Sequence, residues 1–100
     1  MITIKKSDDG IYETSIKNSV LIIDKKSGYN LKKEIGKIIG NHREVSVNLK
    51  QVNAIDKNGY NMLEQLVELA RKKNCKLLFN NYGPDITNII QMLKQTNKNE

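Results

Sequence analysis

Apolar and polar residues alternate from Met1 to Lys6 and again from Ile11 to Ile16, with Ser7, Asp8, Asp9 and Gly10 between them. Alternation places every second side chain on one face of a strand, and an Asp-Gly step favours a tight turn. These residues predict a β-hairpin. Val20, Leu21, Ile22 and Ile23 form an unbroken apolar run, the pattern of a strand covered on both faces. The stretch from Asp24 to Gly28 interrupts it and reads as a loop. Leu31, Ile35, Ile38 and Ile39 then fall at helical spacing, with Asn30 as the expected N-cap and Gly40 and Asn41 as the stop.

Val45, Val47 and Leu49 alternate with Ser46, Asn48 and Lys50, predicting a strand over Glu44 to Val52. The strongest helical stripe follows. Met62, Leu63, Leu66, Val67 and Ala70 share one face of a helix expected over Gly59 to Lys73. Glu68 stands four residues before Lys72, and Arg71, Lys72 and Lys73 place cations where the helix dipole favours them. Cys75 to Asn80 predicts a short strand. Pro84 opens a last helix with Ile86, Ile89, Ile90 and Leu93 on one face, and Thr96 to Glu100 reads as a frayed polar tail. Strands alternating with helices imply an α/β domain: a four- or five-stranded mixed sheet packed against about three helices. At 100 residues, with no linker, repeat or low-complexity segment, residues 1–100 read as one domain.

Composition narrows the function classes. No apolar run approaches a membrane span, and the N-terminus lacks the apolar stretch of a secretory signal. Direct membrane insertion is therefore not expected, and the cytoplasm is the natural compartment. One cysteine (Cys75) and one histidine (His42) exclude an internal disulfide and leave no Cys/His zinc set. The net charge of +6 invites a nucleic-acid reading, but 15 Lys stand against 2 Arg, and the chain has four Tyr, one Phe and no Trp for stacking. Basic groups also divide evenly, 10 in residues 1–50 and 7 in residues 51–100. A solvated basic surface explains the charge better, and no nucleic-acid partner is expected. Enzyme signatures are missing too. Gly28, Gly36, Gly40 and Gly59 are scattered and form no phosphate loop, so no cofactor is expected. Cys75 reads as a small packing residue.

The segment Asn53, Ala54, Ile55, Asp56, Lys57, Asn58, Gly59, Tyr60 carries the most information. Asp56 stands where an N-cap would accept backbone N–H groups. Gly59 in the first turn costs helix propensity and leaves the backbone open to close approach by a partner or a neighbouring loop. Lys57 sits against the dipole. Two choices that weaken a helix start mark a working surface.

Val45 to Tyr60, followed by Met62 and Leu63, resembles the central signature of STAS domains, the family of anti-sigma factor antagonists and sulphate-transporter domains. Leu66 to Asn74 is similar to the family's helix with its basic end, Cys75 to Asn80 to its next strand, and Asp85 to Leu93 to its third helix. The resemblance implies a non-catalytic regulatory module that docks a protein through Asp56, Lys57, Asn58, Gly59 and Tyr60. In the anti-sigma branch the partner would be an anti-sigma factor of the serine-kinase type. An alternative is a compact accessory subunit bound to the ATPase of a phospholipid ABC transporter. A reading from another class is a small nucleotide-binding protein or enzyme. One departure matters. Where phospho-regulated members carry the acceptor Ser or Thr, this chain has Lys57, and residues 47–62 hold no hydroxyl except that of Tyr60.

Overall fold

The computed structural model describes residues 2–17 and 19–98. Strands β1 (Ile2–Lys6) and β2 (Ile11–Ile16) form the expected antiparallel hairpin, with Ile2 opposite Ile16 and Lys6 opposite Tyr12. Gly10 closes its turn with a positive φ of 87°, a conformation that suits glycine. The chain then runs through β3 (Ile22–Ile23), α1 (Lys25–Gly36), β4 (Glu44–Asn48), β5 (Ala54–Ile55), α2 (Lys57–Lys72), β6 (Lys76–Asn80), a 3-10 turn at Pro84–Ile86 and α3 (Thr87–Lys98). The main sheet has the order β1-β2-β4-β6, and only its β1–β2 pair is antiparallel. It is the mixed sheet the alternation implied.

Register explains why one face of this sheet is dry. Tyr12, Val45 and Leu77 lie in one row across three strands, and Thr14, Val47 and Phe79 lie in the next. Val45, Val47, Leu77, Phe79 and Thr14 are buried, and the Thr14 hydroxyl donates to the Ser46 carbonyl at 2.9 Å. That bond meets the requirement that a buried polar group be paired. The alternate row of Glu13, Ser46 and Leu78 and that of Ser15, Asn48 and Asn80 face away from the core. Against the dry face pack Leu63, Leu66, Val67 and Ala70 of α2, Leu31 and Ile35 of α1, and Ile86, Ile90 and Leu93 around α3. Leu66, at the centre of the strongest stripe, is fully buried. Helix α2 touches both α1 and α3.

Several boundaries depart from the sequence expectation. The run from Val20 to Ile23 is not a strand covered on both faces. Only Ile22 and Ile23 pair, with Ala54 and Ile55 of β5 in a separate two-stranded parallel ribbon. Ile23 is fully buried, whereas Leu21 is 48% and Ile22 53% exposed. The stretch from Asp24 to Gly28 is not a loop but the cap and first turn of α1, which leaves Asn30 inside the helix rather than at its N-cap. Regular helix α1 ends at Gly36, and Ile39 reaches the core from the turn beyond it. Strand β4 stops at Asn48; Leu49 and Val52 are buried from the turn that follows. Glu68 pairs with Arg71 rather than Lys72, and that hydrogen bond, more than the nearby positive charge, holds the Glu68 carboxyl below its ordinary range. Helix α3 is helical through Lys98, into the polar stretch beginning at Thr96; residues 99 and 100, like Met1 of the expected first strand, lie outside the described residues.

Glycine substitutions test this packing. A Cβ on Gly59 would lie 2.1 Å from the Ile23 carbonyl oxygen, a contact with backbone that cannot rotate away. Gly59→Ala is expected to cost at least the 1–3 kcal/mol typical of overpacking, read as a lower urea midpoint at unchanged m-value. Gly83 has a φ of −83° and open space around it. Gly83→Ala is expected to be neutral or to stabilise by about 0.4–1 kcal/mol through the unfolded chain.

Candidate functional site

Two strand-to-helix junctions lie side by side. β3 and β5 are parallel with Ile23 opposite Ile55, and each ends directly on the cap of a helix. The sequence Ile-Asp-Lys occurs at both junctions, as Ile23, Asp24, Lys25 and as Ile55, Asp56, Lys57. Each Ile is buried, each Asp is the N-cap, and each Lys is the first helical residue. This local correspondence was present in the sequence but hidden, because Ser27 and Gly28 made residues 24–28 look like loop.

The caps differ in detail. Asp24 forms a capping box: its carboxylate accepts from the Ser27 backbone N–H at 3.0 Å, and the Ser27 hydroxyl accepts from the Asp24 N–H at 2.9 Å. Hydrogen bonds from the Ser27 backbone, then from its side chain, hold the Asp24 carboxyl below its ordinary value of 3.8. Asp56 accepts a single side-chain bond, from the Gly59 N–H at 2.8 Å. Both carboxylates thus satisfy orphan amides of their own helices.

The junctions are held together by close backbone approach. The Asp56 N–H donates to the Ile23 carbonyl at 3.0 Å, and the Asn53 N–H donates to the Leu21 carbonyl at 2.7 Å. Gly59 lies directly beneath Ile23. Gly28 faces Met62 and Gly59, and a Cβ there would stand 3.2 Å from the Gly59 Cα. The space at Gly59 is filled by the end of strand β3 at Ile23, neither a partner nor a loop.

The structure divides the residues singled out from sequence. Asp56, Lys57 and Asn58 are exposed together on the first turn of α2, Gly59 is buried, and Tyr60 is half-buried against the core. Sequence reasoning missed the surface beside them, formed by Leu21, Ile22, Lys25, Lys26 and Tyr29. The apolar run is plain in the sequence, but an unbroken run reads as a covered strand, whereas Leu21 and Ile22 are exposed. Elsewhere, Cys75 is buried next to β6, with its N–H donating to the Ala70 carbonyl at 2.9 Å. Among the described residues no group of three or more His, Cys, Asp or Glu is placed to hold a metal ion, and no helix is long and apolar enough to cross a membrane.

The family model described as STAS domain matches residues 14–99. Among solved structures, murine Solute Carrier 26 family member A9, an anion transporter in the inward-facing state, is similar with a TM-score of 0.65 at 15% identity. The likeness covers 83% of this chain and 14% of the transporter chain, so it spans one part of a much larger protein and speaks for the fold. No curated protein matches the sequence.

The caps make two measurable claims. Asp56→Ala is expected to destabilise by about 0.5–2 kcal/mol, the usual cost of losing an N-cap acceptor. The Asp24 carboxyl is lowered in the folded state, so its contribution is present above its unfolded value and is lost as pH falls through the lower folded one. Acid titration of stability should therefore show a smaller loss below about pH 4 in Asp24→Asn than in the parent chain.

Proposed function

The chain belongs to the STAS domain family, and from that premise we propose that it is a non-catalytic regulatory module which docks a protein partner at the start of α2 without a phosphorylation switch of its own. The observation that carries this reading is Lys57. It is exposed at the first position of a capped helix, and residues 53–62 contain no Ser or Thr. A phosphate at such a position would bring about −1.5 to −2 charges to the positive end of the helix dipole. Lys57 instead places a permanent positive charge there. The partner therefore meets one charge state, and control passes to abundance or to the partner's own state.

In this reading Asp56 orders the first turn, Gly59 seats that turn under Ile23, and Lys57 and Asn58 supply the exposed contacts. The partner class the family resemblance suggests is an anti-sigma factor of the serine-kinase type. A second reading, an accessory role on the ATPase of a phospholipid ABC transporter, rests on the family resemblance alone. Genomic neighbours separate the two: sigma-factor regulators in one case, a transporter operon in the other.

A photo-reactive amino acid at position 58, cross-linked in the source cells and resolved by mass spectrometry, identifies the partner. With that partner, Lys57→Glu is expected to weaken binding at least tenfold while favouring the free helix by about 0.3–1 kcal/mol. Unchanged affinity moves the docking site away from Lys57. If the partner is a kinase, incubation with it and ATP should leave residues 53–62 unmodified; phosphate on this segment refutes the loss of the switch.

A further inference from the structure

Among the described residues the exposed large apolar side chains are Ile4, Leu21, Ile22, Tyr29, Leu78 and Met92. Three of the six fall within residues 21–29, next to the start of α2. They flank two open grooves, of about 430 and 370 Å³, separated by a ridge of Lys26 and Asn30 one turn apart on α1. Leu21 and Ile22 wall the first groove, and Tyr29 and Met62 wall the second. Apolar surface gathered in this way on a small domain marks an interaction site.

Charge says what kind of partner fits. Lys25, Lys26 and Lys57 are exposed, and none is in the ion pairs found among the described residues, which join Glu34 to Lys37, Glu68 to Arg71 and Glu44 to Lys76. The nearby carboxylates of Asp24 and Asp56 accept bonds from their own helix amides. Two helix N-termini, each positive at its end, lie side by side beneath these lysines. A second copy of the chain would bring its own three lysines against them, which like charge opposes. A bilayer would receive a projecting apolar tip better than paired grooves.

We infer that these grooves bind an acidic protein segment, its large apolar side chains entering on either side of Lys26 and its Asp or Glu groups meeting Lys25, Lys26 and Lys57. This rests on the docking role of the α2 start and extends that surface across the first two turns of α1.

The test uses the whole chain, labelled with 15N, and three synthetic peptides of equal length. The first combines Leu and Phe with Glu, the second replaces Glu by Lys, and the third replaces Leu and Phe by Ser. The first should shift the amides of residues 19–30 and 57–62, and should bind more weakly as salt rises. The second and third should bind at least tenfold more weakly. Lys26→Glu and the pair Leu21→Ser with Ile22→Ser should each lose at least tenfold for the first peptide. Tyr29→Ser, on α1 and independent of the β3 pairing, guards against a folding defect. Lys72→Glu, at the far end of α2, should change nothing.

Equal binding of the basic peptide, or shifts confined to other residues, overturns the inference. So do the same amides moving with phosphatidylglycerol vesicles and not with the acidic peptide, or moving with protein concentration alone. If the partner cross-linked at position 58 leaves residues 19–30 unshifted, the α1 grooves fall and the α2 docking surface stands. If the acidic peptide shifts 19–30 while position 58 captures nothing, the grooves stand and that docking reading falls.

Discussion

The contact between Gly59 and the Ile23 carbonyl is the constraint on which the rest of the arrangement depends. It brings the first turn of α2 directly against the end of β3, closer than any side chain allows. The ribbon bonds at Leu21 and Ile23 can form only at that separation, and with β3 and β5 fixed in parallel the two helices must start side by side. Gly28 completes the arrangement by letting α1 close on Met62 and on Gly59 itself. A glycine in each first or second turn costs helix propensity on the order of 1 kcal/mol. The return is a rigid junction at which two helices begin in register.

That rigidity has a consequence for recognition. Ordering a loop on binding subtracts from affinity, whereas a surface whose backbone is already fixed does not incur that cost. Lys25 and Lys57 occupy equivalent positions on paired helices, each tethered by an Asp cap. Their backbone spacing is set by β3 and β5, not by the lysine side chains. The surface therefore presents its cations at fixed points, with the exposed Leu21 and Ile22 held on the ribbon beside them.

Much of the fold was legible because its signals are periodic. The hairpin, β4, α2 and α3 carry alternation or a helical stripe, and the row from Thr14 through Val47 to Phe79 shows that alternation read correctly on each strand converges on one dry face. The start of α1 was not legible for the opposite reason. Ser27 and Gly28 are loop residues by propensity, yet Ser27 completes a capping box and Gly28 meets α2, and both are tertiary facts. The Val20 to Ile23 run failed for a related cause. Hydrophobicity alone does not say whether a second layer exists to cover a strand, and among the described residues none covers Leu21 and Ile22.

The same limit applies to the functional segment. Sequence placed Asp56 through Tyr60 together as a working surface because Lys57 and Gly59 both weaken a helix start. The structure separates their reasons. Gly59 is explained by the Ile23 carbonyl and needs no partner. Lys57 packs under nothing, and the Ile-Asp-Lys sequence repeats at a second helix start where Lys25 is exposed in the same way. A lysine that opposes the helix dipole at one junction could be chance substitution. The same unfavourable choice at two adjacent junctions, beside exposed Leu21, Ile22 and Tyr29, is a patterned cost, and neither lysine is in an ion pair among the described residues. The acidic apolar segment inferred for this surface would offset that cost.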